Sequence, residues 1–82
     1  MRAIMYSTDY CTLCEQALDL LLSMPELAGA QLEVIDIAGN AELEARYANR
    51  LPVLSLSGNA TEVQLSWPFD AHRVRDSISQ VE

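Results

Sequence analysis

The stretch "AIMYSTDYCTLCEQALDLLL" limits what this chain can become more than any other part of it. Cys11 and Cys14 are the only two cysteines. They stand where a short apolar run gives way, through the polar residues Ser7 to Tyr10, to a longer run of helical period. Four uses fit a pair of this kind: a zinc site, a structural disulfide, two buried thiols, or a redox centre. The rest of the sequence has to choose among them.

The period along the chain changes in a regular order. Residues 2–6, "RAIMY", read as a short buried strand. From Cys11, the positions Cys14, Leu18, Leu21 and Leu22 fall on one face of an amphipathic helix, which Pro25 ends. Residues 31–39, "QLEVIDIAG", form a second strand rich in β-branched side chains. Residues 40–50 begin with Asn40 as an N-cap and carry Leu43 and Tyr47 on a buried stripe. "LPVLSL" (51–56) and "ATEVQLS" (60–66) are strand-like and separated by "SGN", a hairpin signal. Thr61, Val63 and Leu65 alternate with Glu62 and Gln64, so one face of that strand meets a helix and the other is wetter. The chain closes as a helix capped by Asp70. Phe69 and Val74 sit at the two positions of a hydrophobic staple, and Ala71, Val74, Ile78 and Val81 form its apolar face.

The expected order is β-α-β-α-β-β-α within a single domain over residues 1–82. The first two strands are parallel, joined by a right-handed crossover, and the last two are antiparallel. The result is a four-stranded mixed sheet with helices on both faces. At 82 residues the core is near the lower limit for independent stability.

Charge and hydropathy exclude several functions. Twelve acids against five bases leave −7, which disfavours nucleic acid and anionic membrane surfaces as partners. No apolar stretch approaches the ~20 residues of a membrane span. The start "MRAIMYSTDY" lacks an export signal, so a cytosolic location is expected. In that compartment a cysteine pair is catalytic or metal-binding more often than a staple.

Zinc needs four ligands at set spacings. The chain offers two Cys and one His, and His72 stands far off at the start of the last helix, where a solvated first-turn role suits it better. Cys14 fits a buried thiol because it shares a face with Leu18 and Leu21. Cys11 does not, because it lies at the mouth of the helix among free N–H groups. Those donors favour the thiolate over the thiol. The thiolate is the nucleophile of disulfide exchange. Cys14, one turn on, can attack the mixed disulfide formed at Cys11 and release the product. A strand–C-x-x-C–helix context is far more specific than two cysteines alone.

With "YSTDYCTLC" opening a helix and "RYANRLPVL" leading into the third strand, the chain resembles the glutaredoxin and thioredoxin superfamily, and within it the small bacterial glutaredoxin-like proteins. The resemblance runs from Ala3 to the last helix. It implies a thioredoxin fold, thiol–disulfide exchange, and a cis Pro52 facing the cysteines. Taken alone, Pro52 would be expected trans, since cis occurs in about 5–6% of X–Pro bonds in folded proteins.

The sequence departs from glutathione-using members of that family. Thr12 and Leu13 replace the usual Pro and Tyr, and "STDY" lacks the usual Lys before the motif. "RLP" replaces Thr-Val-Pro, and Ser66, Trp67 and Pro68 stand where a Gly-Gly pair is usual, with Asp70 matching the acid that follows. Together with the net charge these argue against glutathione as a ligand, and no cofactor is required. The expected activity is dithiol–disulfide exchange by a monomer acting on a protein disulfide or a small thiol partner. Cys11 is the nucleophile and Cys14 the resolver. Tyr10, Thr12, Leu13, Leu51, Pro52 and Trp67 are the candidate substrate-contacting residues, with Leu51 offering its backbone to an extended segment. Packing against the last helix is a competing role for Trp67, and Tyr6 and Tyr47 are assigned to packing. Two rivals are a thioredoxin-fold binding module with little turnover, and a metal or iron–sulfur protein.

Overall fold

The computed structural model describes residues 1–82. Strand β1 is Arg2–Ser7, helix α1 is Thr12–Leu22, and a short 3-10 turn is Pro25–Leu27. Then come β2 (Gln31–Asp36), α2 (Ala41–Tyr47), β3 (Val53–Gly58), β4 (Thr61–Ser66) and α3 (Ala71–Val81). The strands lie in the order β2-β1-β3-β4. β1 and β2 are parallel, Ala3 opposite Leu32 and Met5 opposite Val34. β3 runs antiparallel to both β1 and β4, with Tyr6 and Ser66 on either side of Val53. The expected order and sheet are those found.

Alternation along the strands divides the core in two. Ala3 and Met5 of β1, Leu54 and Leu56 of β3 and Leu65 of β4 point to one face. There they join Ala17 and Leu21 of α1 and Phe69, Val74, Ile78 and Val81 of α3 in the main cluster. The opposite face carries a smaller cluster of Ile37, Tyr47 and Val53, against which Tyr6, Leu43 and Leu51 pack. Only the short α2 covers that face. The sheet there is polar beyond it: the Ser55 hydroxyl donates to Glu62 Oε2 at 2.9 Å, and Gln64 Nε2 donates to the Tyr47 hydroxyl at 2.8 Å.

The caps read from the sequence hold. The Asn40 side chain accepts from the Leu43 N–H at 3.1 Å, and the Asp70 carboxylate from the Arg73 N–H at 2.8 Å. Phe69 and Val74 are both buried at the start of α3.

Several expected boundaries move. α1 ends at Leu22, where the Ser23 N–H donates back to Asp19 and Leu20 in a closing turn; Met24, before Pro25, is extended (φ −91°, ψ 116°) as expected of a residue preceding proline, and Pro25 also opens the 3-10 turn. Leu22 is 69% exposed and Ala17 is buried, so the buried face of α1 runs through Cys14, Ala17 and Leu21. β2 stops at Asp36 and α2 at Tyr47, each short of its expected end. β3 starts at Val53, which leaves Leu51 and Pro52 outside the ladder. The hairpin turn is Asn59–Ala60, both with positive φ (42° and 68°), while Ser57 and Gly58 remain paired in β3. Gly58 also allows a close approach: a Cβ there would stand 2.7 Å from the Val81 carbonyl oxygen at the end of α3.

Candidate active site

The cysteine pair sits at the end of the sheet where β1 delivers the chain into α1. Cys11 is the N-cap of α1, with extended backbone (φ −113°, ψ 101°), and its carbonyl already accepts from the Glu15 N–H at 3.1 Å. Its Sγ takes the place that a Ser or Asp oxygen takes in an ordinary cap: the Cys14 N–H donates to it at 3.2 Å. A backbone donor at a helix N-terminus is thus aimed at the sulfur. Cys11 is partly exposed, whereas Cys14 is 4% exposed. Both are free thiols.

Burial first, then the hydrogen bond its thiol shares with Cys11, push Cys14 from an ordinary 9.0 up to about 11. A hydrogen bond from the Thr8 backbone opposes that rise, and the charge of Glu15 adds to it. Cys14 therefore keeps its proton in the folded chain at pH values where an unfolded chain has begun to lose it. The folded state binds more protons between about pH 9 and about pH 11. The stability contribution is complete below that window and is lost as pH rises through it. Denaturant midpoints of the reduced protein should fall across the window, and Cys14→Ser should flatten the fall. Tyr6, also raised by burial and by Tyr47, is common to both proteins, so the difference isolates Cys14. Equal slopes in the two proteins would contradict the burial argument.

The surroundings of Cys11 are unusually open. Tyr10, immediately before it, has φ 57° and a fully exposed ring. Left-handed backbone is uncommon for a bulky residue, and here it turns the ring out of the fold. Leu13 is 45% exposed and Thr12 is exposed beside it. On the far side lies the segment entering β3. The Leu51–Pro52 peptide is cis, as the family resemblance implies, and Pro52 is buried while Leu51 is half-buried. The Pro52 carbonyl accepts from the Trp67 N–H at 3.1 Å, and the Trp67–Pro68 peptide is cis as well. The Trp67 ring meets Phe69 edge-to-face at 5.1 Å and packs against the main core. Its side chain is thus in the packing role.

One part of the site was not among the sequence-derived candidates. A groove of about 320 Å³ opens beside the cysteines, lined by Thr8, Ile37, Ala38, Glu44, Ala48 and Leu51. It joins the loop before Cys11, the β2–α2 connection, α2 and the segment before Pro52. Of this lining only Leu51 is a sequence-derived candidate; nothing in the local sequence marks the other five residues, because they come from separate places. His72 is exposed on α3, beside Arg75, Asp76 and Ser79. No three side chains among His, Cys, Asp and Glu converge as metal ligands, and no helix is long and apolar enough to cross a membrane.

Comparison with known proteins agrees with this architecture. A family model described as a glutaredoxin-like domain matches residues 2–79. Among curated sequences, the uncharacterized proteins Rv0508 of Mycobacterium tuberculosis and Mb0520 of Mycobacterium bovis are each 29% identical over 75 residues, which is 85% of this chain and 74% of theirs. Among solved structures, the structural-genomics target XcR50 from X. campestris superposes with a TM-score of 0.77 at 31% identity, covering 98% of this chain and 99% of that one. Thioredoxin 1 from Thermosipho africanus superposes at 0.73 with 20% identity, over 98% of this chain and 92% of that one, which establishes likeness of fold.

Proposed function

This chain belongs to the glutaredoxin-like domain family, and from that premise we propose that it is a dithiol–disulfide oxidoreductase with Cys11 as nucleophile and Cys14 as resolving thiol. The observation that carries the reading is the cap itself. The sulfur of a partly exposed Cys11 receives the Cys14 N–H at the mouth of α1, while the Cys14 sulfur is buried one turn further along.

The chemistry runs in two displacements. The Cys11 thiolate attacks one sulfur of a substrate disulfide; a Cys11–substrate disulfide forms and the other substrate sulfur departs as a thiolate, which takes a proton. Cys14 then gives up its proton and attacks the Cys11 sulfur. The second substrate thiol leaves, and the protein is left with a Cys11–Cys14 disulfide. Two electrons pass from the protein dithiol to the substrate, and a thiol reductant must restore the dithiol. Cys14, held up to about 11 by burial, stays protonated until the mixed disulfide places an electrophilic sulfur next to it.

Tyr10, Thr12 and Leu13 form one bank of the substrate surface and Leu51 with Pro52 the other. An extended substrate segment would pair with the free backbone of Leu51, which lies outside the β3 ladder. The substrate is a protein disulfide or a mixed disulfide. Glutathione is disfavoured, because it is an anion and the chain carries −7. No cofactor takes part in these steps. The reading places the protein in the cytosol, where its thiols are kept reduced.

A redox titration tests this reading. The protein is equilibrated against graded dithiothreitol and, separately, graded glutathione, then alkylated and weighed intact. A single two-electron transition with loss of both alkylation sites together is expected, and glutathione adducts should not accumulate. A pair that remains alkylatable at every poise would overturn the assignment.

A further inference from the structure

The groove beside the cysteines points to a substrate class. We propose that it receives a basic side chain of the substrate, a lysine or arginine close in sequence to the target cysteine, and that Glu44 is the counter-charge that selects it. This deepens the disulfide-exchange reading and rests on it.

Position comes first. Thr8 and Leu51 both line the groove. Thr8 belongs to the loop that leads to Cys11, three residues before it, and Tyr6 and Val53 pair just before the two segments that carry Thr8 and Leu51 to this end of the sheet. A segment laid along Leu51 with its disulfide at Cys11 must therefore pass the groove mouth. Chemistry comes second. Ile37, Ala38, Ala48 and Leu51 supply an apolar lining that suits the methylene stem of a long side chain. Glu44 is the only charged residue of the lining. One of its oxygens accepts from the Gly39 N–H at 2.8 Å, at the point where Gly39 turns the chain with φ 81°. That bond holds the carboxylate in place and leaves its second oxygen for a ligand.

The neighbouring charges favour the same occupant. Asp9 and Glu15, both exposed, flank the cysteines on the other bank. The two arginines of this part of the chain are engaged elsewhere: Arg46 with Glu42 at 3.5 Å, and Arg50 over the Tyr47 ring at 5.4 Å. Neither lines the groove. A substrate with an acidic residue at this point would set a carboxylate against Glu44 in a chain of net −7. Like-charge placement of that kind suppresses the wrong partner and lowers the rate of encounter.

The test uses the reduced full chain and peptides bearing one mixed disulfide, identical except for Lys or Glu next to the cysteine. One pair varies the residue before the cysteine and another the residue after it. In at least one pair the Lys peptide should react at least about fivefold faster at low salt, the gain that one unit-charge attraction in water supplies over a neutral residue, with repulsion of the Glu peptide widening it. The ratio should shrink at high salt. Glu44→Gln keeps an acceptor for the Gly39 N–H and removes the charge, so it should cut the ratio severalfold, to the remainder that Asp9, Glu15 and the net charge sustain, while the rate of Cys11 alkylation by iodoacetamide stays unchanged. Exchange with equal rates for Lys and Glu peptides, or a preference that Glu44→Gln leaves undiminished, overturns the groove assignment and leaves the redox reading standing. Absence of exchange with every peptide overturns both.

Discussion

Replacing Cys11 with serine should abolish the proposed disulfide exchange, while replacing Cys14 with serine should stop it half-way, with substrate bound covalently at Cys11. The asymmetry follows from where the two sulfurs sit. Cys11 is the cap residue, open to solvent and reached by the Cys14 N–H. Cys14 is 4% exposed on the face that continues into Ala17 and Leu21. A bulky disulfide can approach the first sulfur and not the second. In Cys11→Ser the cap survives chemically, since a serine oxygen can accept the same N–H; the protein should fold and yet carry no reactive thiol. In Cys14→Ser the first displacement should proceed and the second should lack its nucleophile.

The measurement is intact mass after exposure to a model disulfide. Cys14→Ser should accumulate a one-to-one adduct that dithiothreitol removes, Cys11→Ser should show none, and the unaltered protein should pass through the adduct to the internal disulfide. Stoichiometric iodoacetamide near neutral pH should label Cys11 first, because Cys14 holds its proton up to about 11. Alkylation of Cys14 before Cys11, or exchange at the original rate by Cys11→Ser, would refute the division of roles.

The elements that set this geometry were legible in the sequence because their signals are local. The change of period at Cys11 marks the strand-to-helix junction, and Asn40, Asp70 and the Phe69–Val74 pair mark helix starts that the hydrogen bonds reproduce. The stops were less legible. Pro25 announces that α1 must stop but not where: the chain leaves the helix at Leu22, through backbone bonds of Ser23. Leu22 fits the apolar period and still faces solvent, since periodicity names a face and does not say how far the neighbours extend over it. The turn reads from the sequence as 57–59 and lies at Asn59–Ala60, because Gly58 looks like a turn residue but serves in the strand as the point where Val81 crosses closely. Of the groove only Leu51 was legible. Thr8, Ala38, Glu44 and Leu51 carry no shared motif, and only the β2-β1-β3-β4 order brings them together.

The substitution with the largest expected cost to stability is Tyr47→Ala. Helix α2 has only seven residues, too few to persist on its own propensity, so its position depends on what it buries. That is chiefly Tyr47, 1% exposed, with its ring stacked on Tyr6 at 4.3 Å and its hydroxyl accepting from Gln64 Nε2. Only Ile37 and Val53 share the cluster as fully buried partners. Truncation removes the ring, opens a cavity against the sheet and leaves Gln64 without its acceptor. Large aromatic deletions of this kind cost about 3–5 kcal/mol, a large share of what a small domain possesses. Tyr47→Phe keeps the ring and loses one hydrogen bond, at about 1 kcal/mol. Chemical denaturation of the reduced protein should resolve the two. The loss reaches the site as well. Ala48 and Leu51 of the groove follow Tyr47 in the chain, so hydrogen exchange in Tyr47→Phe should stay slow across residues 41–52 and in Tyr47→Ala should quicken there more than in α3. A Tyr47→Ala protein as stable as Tyr47→Phe would show that α2 is held by something other than this ring.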